Sequence, residues 1–210
     1  MTVLNIDALR RAPLAREPFQ YTVVPGFVTP EGVADARRDF PAVGSAGLLP
    51  LSETRYGAGF AALVQALRGG ELEAAFSEKF DLDLAAHPMM ITVRGHCRCG
   101  DGRIHTDSQS KLITGLLYLN GRWQPEGGRL RLLRGPDDLE DMIAEVPPDG
   151  GTLVAFRRSD RSYHGHRSYE GERRYVMFNW MVDARVRRRE LIRHRVSARL
   201  KRWTGLRAAR

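Results

Sequence analysis

Residues 102–119 read GRIHTDSQSKLITGLLYL. Leu112, Thr114, Leu116 and Tyr118 alternate with Ile113, Gly115 and Leu117, the period of two expected of a strand. Just upstream, His105 and Asp107 flank Thr106. In extended chain, residues i and i+2 project to one side, so this imidazole and this carboxylate can meet at a single ion.

Outward from this stretch the chain continues as short extended runs broken by Gly, Pro, Asp and Asn. Strands are expected at 88–97, 103–106, 111–119, 128–133, 151–157, 162–167 and 173–182. Before residue 87 the pattern differs. Residues 19–24 read as a strand closed by Pro25-Gly26, and Thr29-Pro30-Glu31 supplies an N-cap with proline at the first helical position. Phe60, Leu63, Val64 and Leu67 carry the spacing of a helix stopped by Gly69-Gly70, and Glu71 to Phe80 continues as another helix. The expectation is an α+β fold: a double-stranded β-helix, or jelly roll, with N-terminal supporting helices and a C-terminal basic helix. Residues 1–184 should form one domain, with a helical lead-in over 1–86 and the jelly roll over 87–184, followed by a basic amphipathic tail over 185–210.

The net charge of +8 over 210 residues resembles that of a nucleic-acid binder until it is mapped. Residues 185–210 hold eleven Arg and Lys against the single Glu190, which leaves −2 on residues 1–184. A body without a basic surplus argues against a phosphate-tracking groove. In the tail, Ile192, Val196, Leu200 and Trp203 form a narrow apolar stripe among arginines. It is expected either to pack on the body or to bind an anionic surface or acidic partner. Cys97 and Cys99 are too close for an ordinary disulfide and too few for a four-sulfur zinc site. No structural disulfide is expected, and the absence of a readable leader or apolar span makes cytoplasmic the default location.

A second histidine pair, His164-Gly165-His166, begins 57 residues after Asp107. Two histidines and one carboxylate form the facial triad of non-heme Fe(II) oxygenases, which leaves three positions open for cosubstrate and oxygen. About ten residues beyond His164 come Arg173 and Arg174, on a strand whose alternate members Val176, Phe178 and Trp180 are apolar. A guanidinium on a buried face requires an anion. Arg174 shares the apolar face, whereas Arg173 shares the other with Tyr175 and Asn179. An arginine fork pairs with a carboxylate, so the pattern points to a dicarboxylate held at both ends, and 2-oxoglutarate fits.

With these residues in view, the chain resembles the 2-oxoglutarate- and Fe(II)-dependent dioxygenases, and is similar within them to the oxygen-sensing prolyl hydroxylases and prolyl 4-hydroxylase-type domains. The resemblance covers roughly residues 90–183. It runs through His105-Thr106-Asp107, Tyr118-Leu119-Asn120 with Trp123, and Gly127-Gly128-Arg129-Leu130. It continues through Pro148-Asp149-Gly150-Gly151 leading to Phe156, Ser159-Asp160-Arg161, His164, and Arg174-Tyr175 with Trp180 and Asp183. The resemblance implies that His105, Asp107 and His164 ligate iron, that Arg174 binds the far carboxylate of 2-oxoglutarate, and that Tyr118 offers it a hydroxyl. The ten-residue separation from Arg174 favours His164 over His166, leaving His166 as a supporting or substrate-side group.

The implied activity is hydroxylation of a C–H bond with succinate and carbon dioxide as coproducts. Fe(II) is the cofactor, 2-oxoglutarate and O2 are cosubstrates, and ascorbate is a supporting reductant. No side chain is required as a general base. The implied substrate is a prolyl or other side chain in a protein or peptide. The alternatives are a free amino acid, a sugar or a secondary metabolite, or a non-catalytic metal-binding jelly roll. The segment before the metal motif departs from the oxygen-sensing enzymes. Where they place a tyrosine, this chain has Arg94, His96, Cys97, Arg98 and Cys99, in a loop that lines the substrate entrance in that fold. Lys111, one of three lysines against thirty arginines, lies four residues past Asp107 and is open to a role beside 2-oxoglutarate or none.

Overall fold

A computed structural model of the chain describes residues 2–44 and 47–207, with side chains described through residue 196. Five α-helices and nine strands occur among them: α1 (Ile6–Arg11), β1 (Tyr21–Val24), α2 (Pro30–Arg38), β2 (Leu49–Pro50), α3 (Ala58–Leu67), α4 (Gly70–Phe80), β3 (Met89–Cys97), β4 (Lys111–Tyr118), β5 (Leu130–Leu133), β6 (Met142–Val146), β7 (Leu153–Arg157), β8 (His164–Gly165), β9 (Gly171–Met181) and α5 (Ala184–Arg207).

The strands form two antiparallel sheets, one of six in the order β1-β7-β4-β9-β3-β2 and one of three in the order β6-β5-β8. This is the jelly roll expected from the sequence. The lead-in is less separate than its helical pattern suggests, since β1 pairs with β7 and β2 with β3, both in the larger sheet. The 103–106 segment contributes only a bridge between His105 and His164, because its residues are spent on the loop that carries the site.

Both faces of the larger sheet are covered, and this decides where charged groups can go. One face, with Leu117, Val176, Phe178 and Trp180, packs on α3 and α4 through Phe60, Leu63, Leu67, Phe76 and Phe80. Fully burying each of these large side chains contributes on the order of 2–3 kcal/mol. The opposite face, with Leu116, Tyr118, Phe156, Tyr175 and Met177, meets Leu130, Leu132 and Val146 of the smaller sheet. The space between the sheets is therefore a second core, and the site opens at its end.

Helix boundaries follow their chemistry. Thr29 accepts the Gly32 N–H at 3.2 Å with Pro30 in the first turn of α2. The cap of α3 comes from a distance, Asp39 accepting the Gly59 N–H at 2.6 Å. Asp183 opens α5 by accepting the Val186 N–H at 2.7 Å. Of the α5 stripe, Ile192 and Val196 are half exposed, against the expectation that it packs on the body. Docking runs instead through polar groups, Arg195 to Glu53 at 3.2 Å and to the Ser52 hydroxyl at 3.0 Å, and the Ser110 hydroxyl donating to Glu190 at 3.4 Å. The side chains of Leu200 and Trp203 lie outside the described residues. Cys97 is buried and Cys99 exposed, and both are free thiols.

Candidate metal centre and cosubstrate pocket

The backbones of His105 and His164 are tied face to face, each N–H donating to the other's carbonyl at 3.0 Å. Asp107 follows two residues later at the entry to β4. The ligand atoms of His105, Asp107 and His164 all lie within 4.8 Å of one another, the one cluster with metal-ligand spacing among the described residues. Each imidazole is oriented by a carbonyl: His105 Nδ1 lies 2.8 Å from the Arg103 carbonyl and His164 Nδ1 lies 3.0 Å from that of Ser162. A carbonyl oxygen only accepts, so Nδ1 carries the proton in both rings and Nε2 keeps its lone pair for a metal.

Asp107 is held as a carboxylate. Burial would raise its pKa, but the Lys111 ammonium, His164 and the hydrogen bonds from Lys111 and Thr114 more than offset it and hold the group down at about 2. Lys111 Nζ is 2.8 Å from Oδ1, and the Thr114 hydroxyl donates to Oδ2 at 2.5 Å. Behind Thr114, Asn179 donates to its hydroxyl oxygen at 2.9 Å. Burial pushes His164 down to about 4, against the pull of Asp107, so it is neutral at pH 7 as a ligand must be.

These groups open into a cavity of about 350 Å³ between the two sheets, lined further by Arg94, Asp101, Lys111, His166, Arg173 and Tyr175. The strand-face expectation for the arginine pair is corrected here. Arg174 points away from the cavity, its guanidinium 2.6 Å from Glu172 and stacked 5.5 Å over Phe40. Arg173 is the buried one, 2% exposed, its Nε donating to the Gly128 carbonyl at 2.8 Å. Sequence reading took the wholly apolar set Val176, Phe178 and Trp180 as the inner face, but that set lies under the helices. Arg173 is inside because Asn120 clamps its neighbour's backbone, accepting the Arg174 N–H at 2.7 Å and donating to the Arg174 carbonyl at 3.1 Å.

Among the described residues, Arg173 has no carboxylate within ion-pairing distance; its partners are the Gly128 carbonyl and the Tyr118 hydroxyl at 3.4 Å. Burial pushes the Tyr118 phenol up to about 12 against the Arg173 charge, so it stays protonated. Tyr118 is fully buried and stands behind Arg173, outside the cavity wall. His166 lines the cavity but lies outside the three-residue cluster. Its ring is seated against Gly102, whose φ of +95° and 2.3 Å approach of a would-be Cβ to the His166 carbonyl admit no side chain. Sequence reading singled out neither Thr114 nor Asn179 as a support of the site. Their signal was available as polar residues on inward strand faces.

Residues 93–182 match the model of the 2OG-Fe(II) oxygenase superfamily. The resemblance drawn from the sequence is borne out over this segment, which is similar to a superfamily of oxygenases that use Fe(II) and 2-oxoglutarate. Similar solved structures include a prolyl-4-hydroxylase from Pseudomonas putida, at 19% identity and a TM-score of 0.57 over 86% of this chain and 92% of that one. HygX from Streptomyces hygroscopicus, solved with nickel and 2-oxoglutarate, shares 16% identity at 0.52 over 80% and 87%. A viral collagen prolyl hydroxylase from Paramecium bursaria Chlorella virus-1, in complex with 2-oxoglutarate, shares 14% at 0.53 over 78% and 96%. No curated protein matches the chain. No helix among the described residues is long and apolar enough to cross a membrane.

Proposed function

We propose that this chain hydroxylates a C–H bond, with His105 Nε2, His164 Nε2 and one Asp107 oxygen holding Fe(II), and Arg173 holding the far carboxylate of 2-oxoglutarate. The observation that carries the reading is a buried guanidinium without a counter-charge in the same cavity as a His, Asp, His cluster. Such a group is very costly unless an anion joins it. Iron and 2-oxoglutarate, when bound, supply the oxidation: one oxygen atom of O2 enters the substrate, the other enters succinate, and carbon dioxide leaves.

The chain's own contribution is positional. Thr114 and Lys111 orient the carboxylate, the Arg103 and Ser162 carbonyls orient the imidazoles, and Tyr118 with the Gly128 carbonyl aims Arg173. The apolar groups Leu116, Leu130 and Met177 wall the cavity against water. No side chain need abstract a proton. A side chain in a protein or peptide, prolyl included, is the proposed target, supported by the two prolyl hydroxylases among the similar structures. For residues 185–210 the proposed partner is an anionic surface, supported by the half-exposed Ile192 and Val196 among arginines.

The test is conversion of 2-oxoglutarate to succinate by the Fe(II)-loaded protein, with cell extract supplied as substrate and ¹⁸O-labelled O2 followed by mass spectrometry. Labelled products gaining one oxygen support the reading. Absence of 2-oxoglutarate turnover contradicts it.

A further inference from the structure

Resting on the reading above, we propose that the molecule oxidised carries an anionic group, a carboxylate, which Arg94 receives inside the cavity. The cavity wall holds four cations, Arg94, Arg103, Lys111 and Arg173, against two carboxylates, Asp101 and Asp107. A ferrous ion and the 2-oxoglutarate dianion cancel one another, so the positive surplus remains for the third occupant. Within that surplus Lys111 is paired with Asp107 at 2.8 Å, so Asp101 is the one lining carboxylate left for Arg94 and Arg103.

Arg94 is the better placed of the two. It lies on β3 opposite Tyr175 of β9, on the inward face of the sheet, just before the irregularity that re-aims the strand at Gly95. Its side chain is only 13% exposed, yet its contacts are weak: 3.4 Å to Asp101 and 3.6 Å to the Cys97 sulfur. Its Nε is buried without a hydrogen-bond partner. Asp101 is itself shared, since its other oxygen accepts the Arg98 N–H at 2.8 Å to close the 98–101 turn. A guanidinium offers five N–H groups in a fixed fork, and here the planar edge is underused. A carboxylate on the substrate would complete it, whereas a neutral peptide segment would bring a third occupant that leaves the surplus unanswered. The carboxylate can belong to a free acid or to an acidic side chain or C-terminus of a peptide.

The experiment uses the full chain loaded with Mn(II) and saturating 2-oxoglutarate. Paramagnetic relaxation of ¹³C-acetate and of ¹³C-acetamide is measured in the wild type, Arg94→Gln and Arg94→Lys. The proposal expects enhanced relaxation for acetate and little for acetamide. The acetate effect should fall about tenfold in Arg94→Gln, the size of one charge-assisted contact, and be largely kept in Arg94→Lys. Equal relaxation of the two probes, or an acetate effect indifferent to Arg94→Gln, overturns it. Relaxation of ¹³C-2-oxoglutarate in the same samples reports separately on the underlying reading, which fails if that signal is absent. In a second arm, the Fe(II) protein is offered a small-acid pool and a peptide digest. Oxygenated acids assign the free source and oxygenated acidic peptides the other, with either product lost in Arg94→Gln. Products confined to neutral molecules overturn the proposal.

Discussion

The guanidinium of Arg173 lies 3.4 Å from the Tyr118 hydroxyl and 5.3 Å from the centre of its ring, so one buried phenol holds the cation by edge and face together. Tyr175 takes part from the other side, at 5.1 Å. The arginine is thereby fixed in a single orientation before any ligand arrives, which lowers the ordering cost of binding a carboxylate.

Arg173→Gln should raise the 2-oxoglutarate concentration needed for half-saturation by about tenfold or more, since a desolvated charge-assisted pair contributes roughly 2–4 kcal/mol. Arg174→Gln should leave it near the wild-type value, and Tyr118→Phe should shift it by only a few-fold, about 1 kcal/mol. Calorimetric titration of the Mn(II) form checks all three. A larger defect in Arg174→Gln than in Arg173→Gln would restore the assignment drawn from the sequence.

Thr114→Val removes the hydroxyl that donates to Asp107 and leaves the Asn179 amide without its acceptor. Loss of such a support costs roughly 10–100-fold in metal affinity. Competition with a chelator should show this loss while the fold, followed by circular dichroism, is retained. Unchanged metal affinity would mean that Lys111 alone holds the carboxylate.

The β4 alternation, the His105 and Asp107 spacing and the capped helices were legible because each is local: a period, a cap, a pair two residues apart. The choice between Arg173 and Arg174 was not local. Both faces of β9 are buried, and only the pairing of Asn120 with the Arg174 backbone, 54 residues apart, decides which face meets the cavity. The two-residue β2 is too short for a period to be read. Thr114 and Asn179 were legible singly as polar residues on inward strand faces, but their pairing was not, since it joins two strands 65 residues apart. The tail stripe was legible as a pattern but not as a contact, because Arg195 finds Glu53 while Ile192 faces water.

Burial pushes His166 down to about 4, with the Arg173 charge adding to it. Its unfolded value is near 6.5, so between pH 6.5 and 4 the unfolded chain binds a proton that the folded chain refuses. Stability therefore falls as pH is lowered through that window, by up to about 1.4 kcal/mol per unit for each such histidine. His164 adds a second contribution of the same sign. Asp107, depressed to about 2, acts only at lower pH, where its stabilisation is lost. Urea midpoints of the metal-free protein at pH 7 and 5 should converge in His166→Gln relative to the wild type. A variant whose midpoints separate as widely as the wild type's would remove His166 from this account.

Truncation after Ala184 should leave 2-oxoglutarate turnover in place, because α5 reaches the body through partly exposed polar contacts that contribute about 0–1 kcal/mol each. Salt-sensitive binding to anionic vesicles should be lost with it. Loss of iron binding on truncation would show that α5 supports the site through the Ser110 and Glu190 contact.

The central claim is tested most directly by anaerobic titration of Fe(II) into the protein with 2-oxoglutarate present, following the visible absorption of the iron and 2-oxo acid chelate. The account predicts one chelate per chain in the wild type, its loss in His105→Ala, Asp107→Ala and His164→Ala, and its persistence in His166→Ala. A chelate that survives His164→Ala and disappears in His166→Ala, or that never forms in the wild type, would contradict it.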